Sequence, residues 1–193
     1  MAVWALAGPS GPPAEAEQIP RSVGTAAPRV DGRPVAPALA GSAPTRIQIP
    51  VLSVNAPVMR LGLNANGSVQ VPPLDDHNLA GWYAGSVAPG VTGASVILGH
   101  VDSWSGGSVF FNIKNLHPGD QVNVFRADGS VAVFTVDGLQ KAAKVAFPTS
   151  SVYGSPGYPA LRLITCGGPF DAATGEYLDN IIVYAHLTSS QRA

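Results

Sequence analysis

From residue 45 to 187 the chain alternates short apolar runs with breaks rich in glycine and proline, and a helical period is almost absent. Arg46-Ile47-Gln48-Ile49-Pro50-Val51 alternates polar and apolar as a half-buried strand, and Pro50 confines it to an edge or a bulge. Ala56–Leu61 is a second strand. Asn64-Ala65-Asn66-Gly67 is a turn leading into Ser68–Val71. Asp75–Ser86 predicts a short helix capped by an aspartate. Ala94–Gly99 is apolar almost throughout and reads as a central strand ending at His100. Val109–Leu116 predicts a short helix. Asp120–Phe125 and Val131–Val136 flank an Asp128-Gly129 turn, the strongest hairpin signal here, and the second strand runs on toward Val145. Ala146–Gly154 is a connector with one helical turn. Leu161–Cys166 is a short buried strand, stopped by Gly167-Gly168-Pro169. A polar loop, Phe170 to Asp179, then leads to a last strand, Asn180–Leu187. Seven or eight strands with so little helix predict an all-β fold, a closed barrel or a sandwich.

Residues 1–44 read differently. Alanine, proline, glycine and serine dominate, with no hydrophobic period, so the segment cannot offset its ordering entropy by burial. It is predicted to be a linker, semi-rigid where proline is dense. Met1–Ala7 is apolar but too short for a membrane span and lacks a charged n-region. It is either the stub of a truncated membrane anchor or an incidental apolar start. The expected organisation is a linker over 1–44, a folded domain over 45–188 and a frayed tail over 189–193.

Composition narrows the chemistry. Charged residues make up 12% of the 193, against roughly 25% in an average soluble protein. The net charge is -1, with no basic block to suit nucleic acid or an anionic membrane surface. One cysteine excludes an internal disulfide and a CxxC metal or redox pair. Neither a metal nor a cofactor is expected.

Cys166 is therefore either a small buried hydrophobe or a nucleophile. His100 and Cys166 each end an apolar strand and each precede a glycine-rich loop. If the two strands run the same way through one sheet, thiol and imidazole reach one rim. Such a pair is sufficient to form and resolve a thioester. His117 sits in an exposed turn, His186 near the end of the last strand, and His77 after two loop aspartates.

Leu98-Gly99-His100 and Leu163-Ile164-Thr165-Cys166 resemble the two signature segments of sortases, the cysteine transpeptidases of Gram-positive cell surfaces. Cys166-Gly167-Gly168-Pro169-Phe170-Asp171, with Thr174-Gly175 and Asp179–Val183, is most similar to the actinobacterial class F branch. The resemblance implies a closed eight-stranded β-barrel with a few short helices or 3-10 turns, acting as a monomer at the extracellular face of the cell membrane. It implies that Cys166 attacks an LPxTG-like sorting signal between Thr and Gly, with His100 protonating the leaving amine. The acyl group then passes to an amine acceptor of a cell-wall precursor. A hydrolase of the same fold and a degenerate, non-catalytic surface-binding barrel are the alternatives.

One part of the family pattern is absent. Sortases carry an arginine at the entrance to the last strand, which hydrogen-bonds substrate and oxyanion, but Gly167–Gln191 contains none. Asn180 stands near that place and offers a neutral donor, with a backbone N–H as the alternative. Arg162, where the family more often has threonine, shares the face of Cys166 by the two-residue period. It is either a substrate-binding cation or a solvated strand residue.

Overall fold

The computed structural model describes residues 35–193, so Met1–Ala7 and most of the expected linker lie outside the described residues. Ten strands follow in chain order: β1 (Pro44–Ile49), β2 (Val54–Leu61), β3 (Ala80–Tyr83), β4 (Gly93–Gly99), β5 (Asp102–Ser103), β6 (Gly106–Gly107), β7 (Gln121–Arg126), β8 (Ser130–Ala143), β9 (Pro159–Asp171) and β10 (Glu176–Arg192). Eight of them close a barrel in the order β1-β2-β3-β4-β9-β10-β8-β7, and β5 and β6 form a separate two-stranded ribbon. One α-helix, α1 (Thr149–Tyr153), and three 3-10 turns complete the described residues. Among these residues no helix is long and apolar enough to cross a membrane.

Closure leaves the barrel no free edge. The lumen is filled by Ile47, Ile49, Ile97, Phe110, Val122, Val124, Phe134, Leu161, Leu163, Ile181 and Val183. A second apolar layer lies outside the wall, where Val96, Leu98, Ala142, Ile164, Ile182 and Tyr184 pack against Val152 of α1. This explains why β4 and β9 read as unbroken apolar runs. They pair parallel and are buried on both faces, so neither face calls for polar residues.

The expected hairpin at Asp128-Gly129 is present, with Gly129 at φ 77°. Several expectations are corrected. Pro50 ends β1 by opening a 3-10 turn at its first position, where its missing N–H costs nothing. Ser68–Val71 contributes only an isolated bridge, Leu63 to Val69. Asp75–Ser86 is not a helix: Asp76 accepts from the Asn78 N–H in a turn, and Ala80–Tyr83 form β3. Val109–Leu116 holds only a 3-10 turn over Ile113–Asn115. Gly167-Gly168-Pro169 does not stop its strand, and Phe170–Asp179 is mostly strand. The β9–β10 hairpin continues to the pair Asp171–Glu176, with one bulge on the way. Nor does the chain fray after Leu187, because β10 pairs with β8 through Arg192.

Candidate active site

The register of the parallel pair places the two central groups. Val96 lies opposite Arg162 and Leu98 opposite Ile164. β4 ends at Gly99, so His100 is the first residue past it, while Cys166 lies two residues beyond Ile164 on β9. Val96, Leu98, Ile164 and Ile182 belong to the outer apolar layer, and the two-residue period puts His100 and Cys166 on that outer face. The site is therefore a rim on the outside of the wall and not a mouth of the lumen.

Both groups are largely buried, His100 at 6% and Cys166 at 9% exposure. His100 Nε2 lies 2.7 Å from the Pro72 carbonyl oxygen. A carbonyl only accepts, so Nε2 carries the hydrogen and Nδ1 is left as the nitrogen that can exchange a proton. Burial pushes the Cys166 thiol above its ordinary pKa; Lys144 opposes that shift, and Glu176 and Asp102 add to it.

Asn180 is the direct cross-strand partner of Cys166 on β10 and of Ala142 on β8. Its side chain is 4% exposed, and Oδ1 has no hydrogen-bond partner. A buried amide oxygen without a partner is costly, and this one belongs to the residue paired with Cys166 across the two strands. The structure thus brings Cys166, His100 and Asn180 to one rim.

Arg162 lies four residues before Cys166 on β9, and the expectation of a solvated strand residue there is corrected. It is buried at 1% exposure, so it is not a solvated strand residue. Its guanidinium donates to the carbonyls of Leu161 and Ser151 and lies 4.6 Å from the Tyr184 ring centre. The bond to Ser151 ties α1 to the wall. Desolvation lowers its pKa.

Further residues frame the rim that sequence reasoning did not single out. Tyr177 on β10 donates to an Asp102 carboxylate oxygen, tying the strand after Cys166 to the loop after His100. Phe170 packs edge-on against Tyr177 at 5.2 Å. His77 bridges Ser103 (2.8 Å) and Ser105 (2.6 Å), clipping its loop to the β5–β6 ribbon. No short-range motif marks these contacts, which depend on chain segments far apart. His117 is exposed in its turn. His186 is buried, with Nδ1 2.6 Å from Asp137. Among the described residues no cluster of three or more His, Cys, Asp or Glu is arranged to hold a metal.

A closed eight-stranded barrel with a thiol on one strand and an imidazole just past the end of its parallel neighbour defines a narrow class of protein. Residues 47–188 match the sortase domain family, and the chain belongs to it. Its members are cysteine transpeptidases that act at the cell surface, and this protein is an enzyme of that type. The fold is similar to that of SrtA sortase from Actinomyces oris, at 25% identity and TM-score 0.58, covering 85% of this chain and 90% of that one. It is similar to sortase E1 from Streptomyces coelicolor, solved with a tripeptide in the active site, at 21% identity and TM-score 0.56, covering 81% and 94%. Sortase A from Corynebacterium diphtheriae matches at 20% identity and TM-score 0.58, covering 78% of this chain and 62% of that one. No curated protein matches the chain by sequence.

Proposed function

We propose that this protein is a class F sortase that cuts an LPxTG-like sorting signal between Thr and Gly and joins the Thr carbonyl to a cell-wall amine. The observation that supports the reading is the parallel pairing of β4 and β9, with His100 directly after the first strand and Cys166 two residues past the last paired position of the second. The Cys166 thiolate adds to the Thr carbonyl carbon. The resulting oxyanion collapses, the C–N bond breaks, and His100 gives its Nδ1 proton to the leaving glycine amine. A thioester remains. The incoming amine attacks that carbonyl, His100 Nδ1 takes its proton, and the thiolate leaves as the new amide forms. One amide is broken and one is made, with no redox change. The protein works as a monomer on the extracellular face of the membrane, with residues 45–188 as its catalytic domain.

Asn180 takes the part that the family gives to arginine. Its side chain belongs to the cross-strand partner of the nucleophile: Oδ1, which has no partner, is suited to accept from a substrate backbone N–H, and the Nδ2 N–H is the donor for the oxyanion. A fixed neutral donor in a buried site contributes substantially to such a step.

Incubation with a fluorogenic LPxTG-type peptide, with and without an amine acceptor, tests the reading. Wild type is expected to cleave and to yield acceptor-linked product, while Cys166→Ala and His100→Ala fall to background. Asn180→Ala is expected to lower kcat on the order of 100-fold. Cleavage without acceptor-linked product assigns hydrolysis instead. One observation favours the non-catalytic reading: burial works against the thiolate at Cys166. No cleavage by wild type, or equal cleavage by Cys166→Ala, would decide for it.

A further inference from the structure

The wall beside Cys166 carries a cation that no motif announces. Outer-face rungs run across three strands: Gln140–Ile182–Ile164, then Ala142–Asn180–Cys166. Tyr184 Oη donates to Gln140 Oε1 at 2.7 Å from the neighbouring rung, which fixes that face for β8 and β10. Lys144 follows β8 directly, as the first residue of the 3-10 turn Lys144–Ala146. On β10 the same face continues through Leu178 to Glu176. The bulge does not disturb this, because its extra residue lies on β9, where Gly168 and Pro169 oppose Leu178 alone. Lys144 Nζ and Glu176 Oε2 are 3.5 Å apart, with side chains only 14% and 26% exposed. Lys144 thus starts ~10 Å across the wall and ~7 Å along it from Cys166, and its side chain lies back toward β10. The neighbouring pair Lys141–Asp179 (3.9 Å) occupies the alternate positions, which face the other way.

We propose that Lys144, held in place by Glu176, is the cation that balances the negative charge carried at Cys166. It is a positioning residue that acts through the thiolate and not through the substrate. Glu176 anchors it and at the same time opposes it. The direction of the individual influences on the thiol agrees: Lys144 favours ionisation, while Glu176 and Asp102 disfavour it. This assignment explains how a site without the family's arginine keeps a positive charge near its nucleophile. It rests on Cys166 being the nucleophile.

Alkylation of Cys166 by iodoacetamide tests it without any turnover, since the thiol is the chain's only one and the reagent is neutral. At pH 7.5, Lys144→Gln is expected to slow alkylation roughly 3- to 10-fold, the effect of a thiol pKa raised by half a unit to one unit. Glu176→Gln is expected to accelerate it by a similar factor, and Lys144→Arg to stay within about twofold of wild type. Opposite signs for the two partners are what a merely structural ion pair would not give. An unchanged rate in Lys144→Gln, or a slower one in Glu176→Gln, overturns the proposal. Should Lys144→Gln fail to fold by its thermal melt, the sign of the Glu176→Gln effect decides alone. Peptide cleavage by wild type judges the nucleophile separately, so the two failures remain distinct.

Discussion

Cys166 combines two opposed demands. It must ionise to attack, yet it lies at the end of the buried part of β9, and burial pushes its thiol upward. An ordinary thiol has a pKa of about 8.5. With a value above that, Cys166 at neutral pH is more fully protonated than free cysteine, and its alkylation is correspondingly slower. As pH rises the rate is expected to climb about tenfold per unit and to continue climbing where free cysteine has levelled off. A plateau at or below the free-cysteine midpoint would show that burial is not in control. Peptide cleavage needs His100 protonated at Nδ1 in the same molecule, so its pH profile is expected to be bell-shaped, and a flat profile from about pH 5 to 10 would contradict the paired mechanism. The stability sign follows the same shift. Between the unfolded value and the higher folded one, the folded chain keeps a proton that the unfolded chain loses, so stability declines as pH rises through that window.

At the scale of elements, the β9–β10 hairpin is the part that turns a buried strand into a site. Past Cys166 it leaves the apolar layer and runs on as a two-stranded arm, and the bulge at Gly168-Pro169 permits that change of course. Gly168 has φ 73°, and a Cβ there would collide with the Asp179 carboxylate. Gly175, in the turn at the tip, has φ 72° with open space around it. Gly175→Ala is expected to cost ~1 kcal/mol, the left-handed penalty alone. Gly168→Ala should cost clearly more in urea unfolding and also lower kcat, because it displaces Asp179, the neighbour of Asn180. Equal costs at the two glycines would mean that the bulge absorbs the clash. The same arm shows where the sequence pattern carries and where it stops. The positions of His100 and Cys166 stand out because unbroken apolar runs end at both, β4 and the first part of β9 being buried on both faces. Residues 167–179 read as loop because an arm outside both apolar layers has no buried face to impose alternation. Asp75–Ser86 read as helix because aspartate caps helices and also closes turns, and Ala80–Tyr83 are too few to show a period. Lys144 was invisible because its relation to Cys166 exists only through pairing across β10.

At the scale of the molecule, the barrel has two apolar layers, and they divide the work. The lumen layer holds the wall closed, while the outer layer braces β4 and β9 beneath the rim and contains two tyrosines whose ionisation burial opposes. Tyr184 and Tyr153 lie in that outer layer, and burial pushes both phenols up to about 12, with the Arg162 guanidinium opposing the shift at Tyr184 and Tyr83 adding to it at Tyr153. An unfolded tyrosine ionises near 10. Between about pH 10 and 12 the unfolded chain loses protons that the folded chain retains, so the folded state weakens as pH rises. Each such tyrosine is expected to steepen the fall by about 1.4 kcal/mol per pH unit within that window. Tyr184→Phe removes one contribution, at a neutral-pH cost of about 1 kcal/mol for its hydrogen bond to Gln140. Urea unfolding of wild type and Tyr184→Phe from pH 8 to 11 should therefore give curves that start apart and converge. Phe134→Ala, in the lumen layer, is expected to cost about 3–5 kcal/mol at every pH, with a parallel curve. Parallel curves for both variants would mean that the outer layer opens at high pH before the barrel unfolds, releasing the brace under Cys166 while the wall stays closed.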